Sequence, residues 1–194
     1  MLLLKITIRF RFKNDFYLLT GVVSYTTPQG NKIKIHGSEF SLEDNKYDGI
    51  LIDQTLTSGL GVLSDGLNGT GDLRSRNKRW IGWNKNLVTK PYILFDFDKQ
   101  RLFRSVRFVC NLRDSSNITL FSAVTITSSI TGRKFRSPVK HETKKVSSGK
   151  FWKTYSVTMS ICGLTGKYIK VQFAYRSDWI LLSEVSFDSG ETSK

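Results

Sequence analysis

Apolar and polar positions alternate over several stretches of this chain. Ile6, Ile8, Phe10 and Phe12 are separated by Thr7, Arg9 and Arg11. The same period returns at Ile93, Phe95 and Phe97, at Val106, Phe108 and Cys110, and at Ile169, Val171, Phe173 and Tyr175. A period of two puts every second side chain on one face of a strand, so each stretch predicts a strand with one face in a core. Ile118–Thr127 and Trp179–Phe187 are less regular but rich in β-branched and aromatic residues, which suits the interior of a sandwich. Turn signals lie between them at Thr27-Pro28-Gln29-Gly30, Asn68-Gly69, Ser148-Gly149 and Thr165-Gly166. No window carries a helical stripe. The pattern predicts an all-β antiparallel sandwich or jelly roll, with Thr131–Lys150 as a long surface loop and residues 189–194 as a flexible tail.

Length and composition fit that picture. A chain of 194 residues, 39% hydrophobic and 24% charged, is of globular type and suits a single well-packed domain. Its longest apolar runs are too short to span a bilayer. The opening MLLLKITIRF has no small-residue cleavage site behind an apolar core, so neither a signal peptide nor a transmembrane segment is expected in this chain. The net charge of +14 favours polyanionic partners. It concentrates in Arg74–Arg79, where Arg74, Arg76, Lys78 and Arg79 are the candidate contacts, and in the spread from Arg133 to Lys153. The simplest reading is two solvated loops. Zinc-finger spacing, a basic-helix register and an RNP-type signature are all missing, so nucleic acid is not the expected partner.

Candidate chemistry is sparse. His36 and His141 are the only histidines, and neither neighbours a nucleophile motif. Asp96 and Asp98 share a strand face and form the one carboxylate pair worth weighing, although such pairs on a wet face usually serve solubility. The chain is read as non-catalytic. Cys110 and Cys162 allow either one disulfide or two free thiols. Two glycosylation sequons, at Asn68 and Asn117, lend mild support to a secreted route. Asn117 follows Asp114-Ser115-Ser116 and is expected to be the better acceptor. The stretch GLGVLSDGLNGTGD (Gly59–Asp72) turns too tightly for a helix or a plain strand, and it carries Asp65. Glu184 is the only charge between Asp178 and Asp188, in a run otherwise fit for a core. A buried carboxylate needs a cation or an exposed edge. Asp65 and Glu184 together, with carbonyls of a turning loop, are of the type that calcium takes; a turn cap is the alternative for Asp65.

These stretches also carry a family likeness. GVVSYTTPQG (Gly21–Gly30), KYDG (Lys46–Gly49), GLGVLSDGLNG (Gly59–Gly69), Trp80–Asn84, FDFDKQRLFRSVRFVCN (Phe95–Asn111) and DWILLSEVSF (Asp178–Phe187) resemble, in order, the second, discoidin-like extracellular domain of the discoidin domain receptors, the collagen-binding receptor tyrosine kinases. The resemblance implies a discoidin-like jelly roll of the galactose-binding-domain type over residues 21–188, with residues 1–20 as the end of a preceding discoidin domain. It implies a structural calcium ion, held by the carbonyls of Val62, Leu67 and Ser183 and the carboxylates of Asp65 and Glu184. The family's disulfide would join Cys110 to the position of Val171, so that partner is missing and a Cys110–Cys162 bridge is left open.

The resulting expectation is a glycoprotein module on the extracellular side of the plasma membrane, part of a single-pass receptor in cell adhesion and matrix signalling. It would orient the adjacent domain that binds collagen, contribute to receptor self-association, and meet the membrane only through a segment outside this chain. The runner-up is a secreted lectin-like β-sandwich that binds sulfated glycans through its basic loops.

Overall fold

The computed structural model describes residues 21–74 and 79–191. The strand expected at Ile6–Phe12, and the domain remnant expected over residues 1–20, lie outside the described residues. Elsewhere the alternating stretches become strands: β1 (Val22–Pro28), β2 (Lys32–Ile35), β3 (Ser38–Ser41), β4 (Ile50–Ile52), β5 (Thr55–Gly59), β6 (Ile81–Asn84), β7 (Tyr92–Leu112), β8 (Ala123–Ser129), β9 (Val139–Glu142), β10 (Lys153–Ala174) and β11 (Trp179–Glu191). The helical content of the described residues is a single 3-10 turn at Asp114–Ser116. None of their helices is long and apolar enough to cross a membrane.

The fold is an all-β sandwich, and two long strands belong to both of its layers. The first half of β7 pairs with β1 on one edge (Phe95 opposite Tyr25) and with the end of β10 on the other (Phe95 opposite Ile169). Its second half pairs with the start of β10 (Phe108 opposite Val157) and with β11 (Phe108 opposite Val185). Register shifts in β10 between Ser160 and Leu164, and between Gly166 and Tyr168, mark where the pair passes from one layer to the other. One layer thus runs β4-β5-β1-β7-β10-β8-β9, while β6 and β11 extend the other from β7. A separate hairpin of β2 and β3 turns at His36 and Gly37, both with positive φ (48° and 80°), as a two-residue turn matching the strand twist requires.

Because β7 lies inside both layers, its alternate residues Ile93, Phe95, Phe97, Phe103, Val106 and Phe108 are fully buried. Phe97 meets Phe103 and Phe187 edge-on, with centroids 4.8 and 5.3 Å apart. Phe108, Phe121 and Phe173 form a second aromatic set. Val109 points the other way, into a smaller cluster with Ile33, Ile35, Trp80 and Trp179 that seats the β2–β3 hairpin.

Two expectations are corrected. Thr131–Lys150 is not loop throughout, because β9 pairs with β8 from Ala123 to Ile126. Half-buried Val139 and His141 alternate there with exposed Lys140 and Glu142, a short period that the surrounding charge obscures. The tail expected from residue 189 is likewise ordered to Glu191. Ser189, Gly190 and Glu191 pair with Phe103, Leu102 and Arg101, and Glu191 adds an ion pair with Lys99.

Phe97→Ala should cost about 3–5 kcal/mol, the usual loss for a fully buried ring. Phe151→Ala, at an exposed ring, should change stability by no more than about 0.5 kcal/mol. Urea unfolding of the two variants, read against the parent, checks both values.

Candidate functional site

The glycine-rich segment after β5 runs back across the sandwich to β11. Gly61 is required by close approach: a Cβ there would stand 2.2 Å from Asp44 Oδ2 and 2.6 Å from the Tyr25 hydroxyl. Gly66 sits at φ +76°, where a side chain is strained. Two backbone contacts pin the segment. The Val62 amide donates to Asp44 Oδ2 at 3.0 Å, and the Val185 amide donates to the Leu63 carbonyl at 2.8 Å. This brings Asp65 and Glu184 to one place, with the Gly66 amide donating to Glu184 Oε2 at 3.1 Å and the Leu67 amide to Asp65 Oδ1 at 3.0 Å. A bulge helps: Leu182 faces Cys110 and Glu184 faces Val109, which leaves Ser183 as the extra residue of β11.

The electrostatics are unbalanced. The Asp65 charge acts on both Asp44 and Glu184, and Arg79 forms an ion pair with Asp65. Glu184 is 3% exposed and belongs to none of the ion pairs among the described residues. Burial, reinforced by the Asp65 charge, pushes its carboxyl up to about 9; the Gly66 amide and the more remote Arg107 and Arg79 oppose this only in part. Asp44 is raised chiefly by burial, although it accepts hydrogen bonds from the Tyr25 hydroxyl and the amides of Val62 and Lys46. The Tyr25 phenol is raised in turn, by burial first and then by Asp44. The hydroxyl oxygens of Ser64 and Ser183 are buried without hydrogen-bond partners. Among the described residues no group of three or more His, Cys, Asp or Glu side chains forms a metal cluster. A cation here would therefore depend on backbone oxygens as well as carboxylates, as calcium's oxygen-rich coordination permits. Asp44 and Arg79 escaped sequence reasoning as members of the site. Asp44 stands in the charged run Glu43–Asp48, which reads as a solvated turn.

Predicted residues other than Val62, Leu67 and Ser183, which lie on the glycine-rich segment and beside Glu184, are dispersed. Val62 is buried and Leu67 exposed. The expected basic patch divides: Arg79 is committed to Asp65, Arg74 grips Asp72 at the surface through Nε and Nη2, and Arg76 and Lys78 lie outside the described residues. Cys110 and Cys162 are both free, the first buried and the second exposed, so they do not pair. Each carboxylate of the strand-face pair has its own cation, Lys167 for Asp96 and Arg101 for Asp98. Of the two sequons, Asn68 and Thr70 are both exposed, whereas Asn117 donates its side-chain amide to Asp178 at 2.8 Å and Thr119 is buried. Asn117 is itself exposed, at the end of the Asp114–Ser116 turn.

The family model described as discoidin domain-containing receptor 1/2, DS-like domain, matches residues 21–189. Mouse epithelial discoidin domain-containing receptor 1 is 26% identical over 187 residues, covering 87% of this chain and 20% of the relative. The Caenorhabditis elegans discoidin domain-containing receptor tyrosine kinase B is 27% identical over 176 residues, covering 89% of this chain and 21% of the relative. The chain therefore spans about a fifth of the length of these relatives. Among solved structures, a Streptococcus pneumoniae fucose binding module aligns at TM-score 0.45 and 14% identity, covering 69% of this chain and 84% of that one.

Just beyond the end of β7, Asp114 holds the turn that leads toward β10. Its Oδ2 accepts from Ser147 Oγ at 2.8 Å and from the amides of Ser148 and Gly149 at 3.0 and 3.1 Å. Burial pushes this carboxyl up, but the three hydrogen bonds and the Lys145 charge outweigh it and hold it below its ordinary value. A group depressed in the folded state stabilises fully above its unfolded pKa, about 3.9, and loses that contribution as pH falls through the folded value. Asp114→Asn should cost about 1 kcal/mol at pH 7. The gap between parent and variant should close as pH is lowered from about 5 toward 2, as thermal melts across that range would show.

Proposed function

The chain belongs to the DS-like domain family of the discoidin domain receptors, and from that premise we propose that it is a non-catalytic extracellular module stabilised by calcium. The carbonyls of Val62, Leu67 and Ser183 and the carboxylates of Asp65 and Glu184 would hold the ion. Its chemistry would be neutralisation of buried negative charge, tying the glycine-rich loop to the last strand.

The observation that carries this reading is Glu184, a carboxylate 3% exposed with no ion-pair partner among the described residues. Arg79 offsets only one of the charges of Asp44, Asp65 and Glu184. Leaving the others buried and uncompensated is costly, and the orphaned hydroxyls of Ser64 and Ser183 mark the same spot as polar and underserved. In the parent receptor the module would be the second extracellular domain, above the membrane segment. There it would orient the neighbouring collagen-binding domain and take part in receptor self-association.

Calcium that binds only the folded state stabilises it by roughly 2.7 kcal/mol at a hundredfold excess over its dissociation constant. Chelator should lower the melting temperature by several degrees, and magnesium, which demands a smaller octahedral cage, should not restore it. Asp65→Asn and Glu184→Gln should each make the melting temperature nearly indifferent to chelator. Identical melting curves with and without chelator, on a sample shown to be metal-free, would end the calcium reading.

The isolated chain should not bind triple-helical collagen, since the family's collagen surface is assigned to the other domain. Solid-phase binding of this chain to native collagen that disappears when the collagen is heat-denatured would contradict that assignment.

A further inference from the structure

Away from the glycine loop, the β2–β3 hairpin and the turn entering β10 enclose a cleft of about 310 Å³. Its walls come from distant parts of the chain: His36 and Phe40 from the hairpin, Arg74 from the segment before β6, Arg113 from the end of β7, and Phe151 and Trp152 from the turn. Phe40 and Trp152 pack on the smaller hydrophobic cluster, which gives the cleft a fixed apolar floor. The Arg113 guanidinium lies 4.6 Å from the centroid of the Trp152 ring, with Nη2 3.1 Å from His36 Nε2 and Nε 3.3 Å from Ser115 Oγ. Stacking and hydrogen bonding together hold this fork in one orientation. Phe151 is 81% exposed at the rim. A large apolar ring left in water at the mouth of a concavity marks a surface suited to a ligand.

The charges are of one dominant sign. Among the described residues Arg113 carries no ion pair to a carboxylate, although its charge also acts on Asp72, Lys150 has no ion pair or hydrogen bond, and Arg74 is paired with Asp72. Glu39 lies on the other face of β3 and is turned to Lys32.

We propose that this cleft binds an anionic saccharide, a sulfated sugar chain, with a ring against Phe151 and Trp152 and its sulfate held by Arg113 and Lys150. The amphipathic character of the site decides the class. A sulfated sugar ring presents an apolar C–H face to an aromatic platform, hydroxyls to His36 and Ser38, and a tetrahedral sulfate whose oxygens can accept from a pre-oriented planar guanidinium. The size also fits a small ligand, because 310 Å³ falls within the range of ordinary ligand pockets. Single-stranded nucleic acid instead needs a groove that tracks successive phosphates beside successive stacking rings, whereas these aromatics converge on a single concavity.

The probe is a sulfated heparin-derived tetrasaccharide, titrated calorimetrically into the chain at physiological salt with calcium in excess. Its fully desulfated counterpart and a short oligothymidine serve as comparisons. The sulfated sugar should bind at least about tenfold more tightly than either, since charged hydrogen bonds of the kind lost are worth about 1.4 kcal/mol or more. Arg113→Gln and Phe151→Ala should each weaken it about tenfold, Phe151→Tyr should restore it, and Arg133→Ala with Lys134→Ala, which removes exposed charge outside the cleft, should leave it within about twofold. The proposal is overturned by absence of binding, by equal affinity for the desulfated sugar, by tighter binding of oligothymidine, or by equal losses in the Arg133/Lys134 and cleft variants. Phe151 is exposed, so its two variants decide the question even if Arg113→Gln disturbs folding. None of these results bears on the melting behaviour that tests calcium.

Discussion

Pairing of both halves of β7 along both edges is the constraint from which the rest of the structure follows. Where this strand of 21 residues has neighbours on either side it cannot be wet on its inner face, so Ile93, Phe95 and Phe97, and again Phe103, Val106 and Phe108, are apolar and fully buried, with exposed Asp98, Lys99 and Gln100 between the two sets. Because its partners change midway, from β1 and late β10 to early β10 and β11, the same strand fixes the relative placement of both layers. β11 inherits its register from β7. The bulge at Ser183 is an offset within that register, and it turns Glu184 toward the glycine-rich segment.

The carboxylates then follow from backbone geometry rather than from any cluster in sequence. Gly61 lets the segment approach Asp44 more closely than a side chain would allow, and the Val185-to-Leu63 hydrogen bond clamps the segment on β11. Acidic groups brought together this way repel one another in a medium of low dielectric. The Arg79 ion pair and the Tyr25 hydroxyl answer part of that repulsion. The fold therefore concentrates its least comfortable electrostatics at the junction between an irregular loop and its most regular strand.

Much of the sandwich was legible in the chain, and the reason is physical. Strands with one wet face declare themselves by a period of two, as around Phe95 and Phe173, and turns declare themselves by glycine and proline. β9 was not legible because Lys140 and Glu142 dominate a segment of only four residues. At the candidate site, Asp65 and Glu184 stood out as lone charges in unsuited surroundings, while Asp44 hid among other charges and acquires its burial only from tertiary contact. Pattern along the chain cannot show the bulge at Ser183, which exists only relative to Cys110 and Val109. The cleft was invisible for the same reason: Arg74, Arg113 and Phe151 come together only after the hairpin has docked.

The two thiols differ in a way that outlasts their failure to pair. Cys110 is buried, and that burial pushes its thiol well above the range in which a thiolate forms. Cys162 is exposed, donating to the Arg104 carbonyl at 3.4 Å. The sandwich thus holds its shape without a covalent crosslink, and it sorts its sulfur into one atom that solvent reaches and one that solvent does not. A thiol-reactive dye would count one group per folded chain and two per unfolded chain, so the molecule carries its own stoichiometric gauge of unfolding near the end of β7.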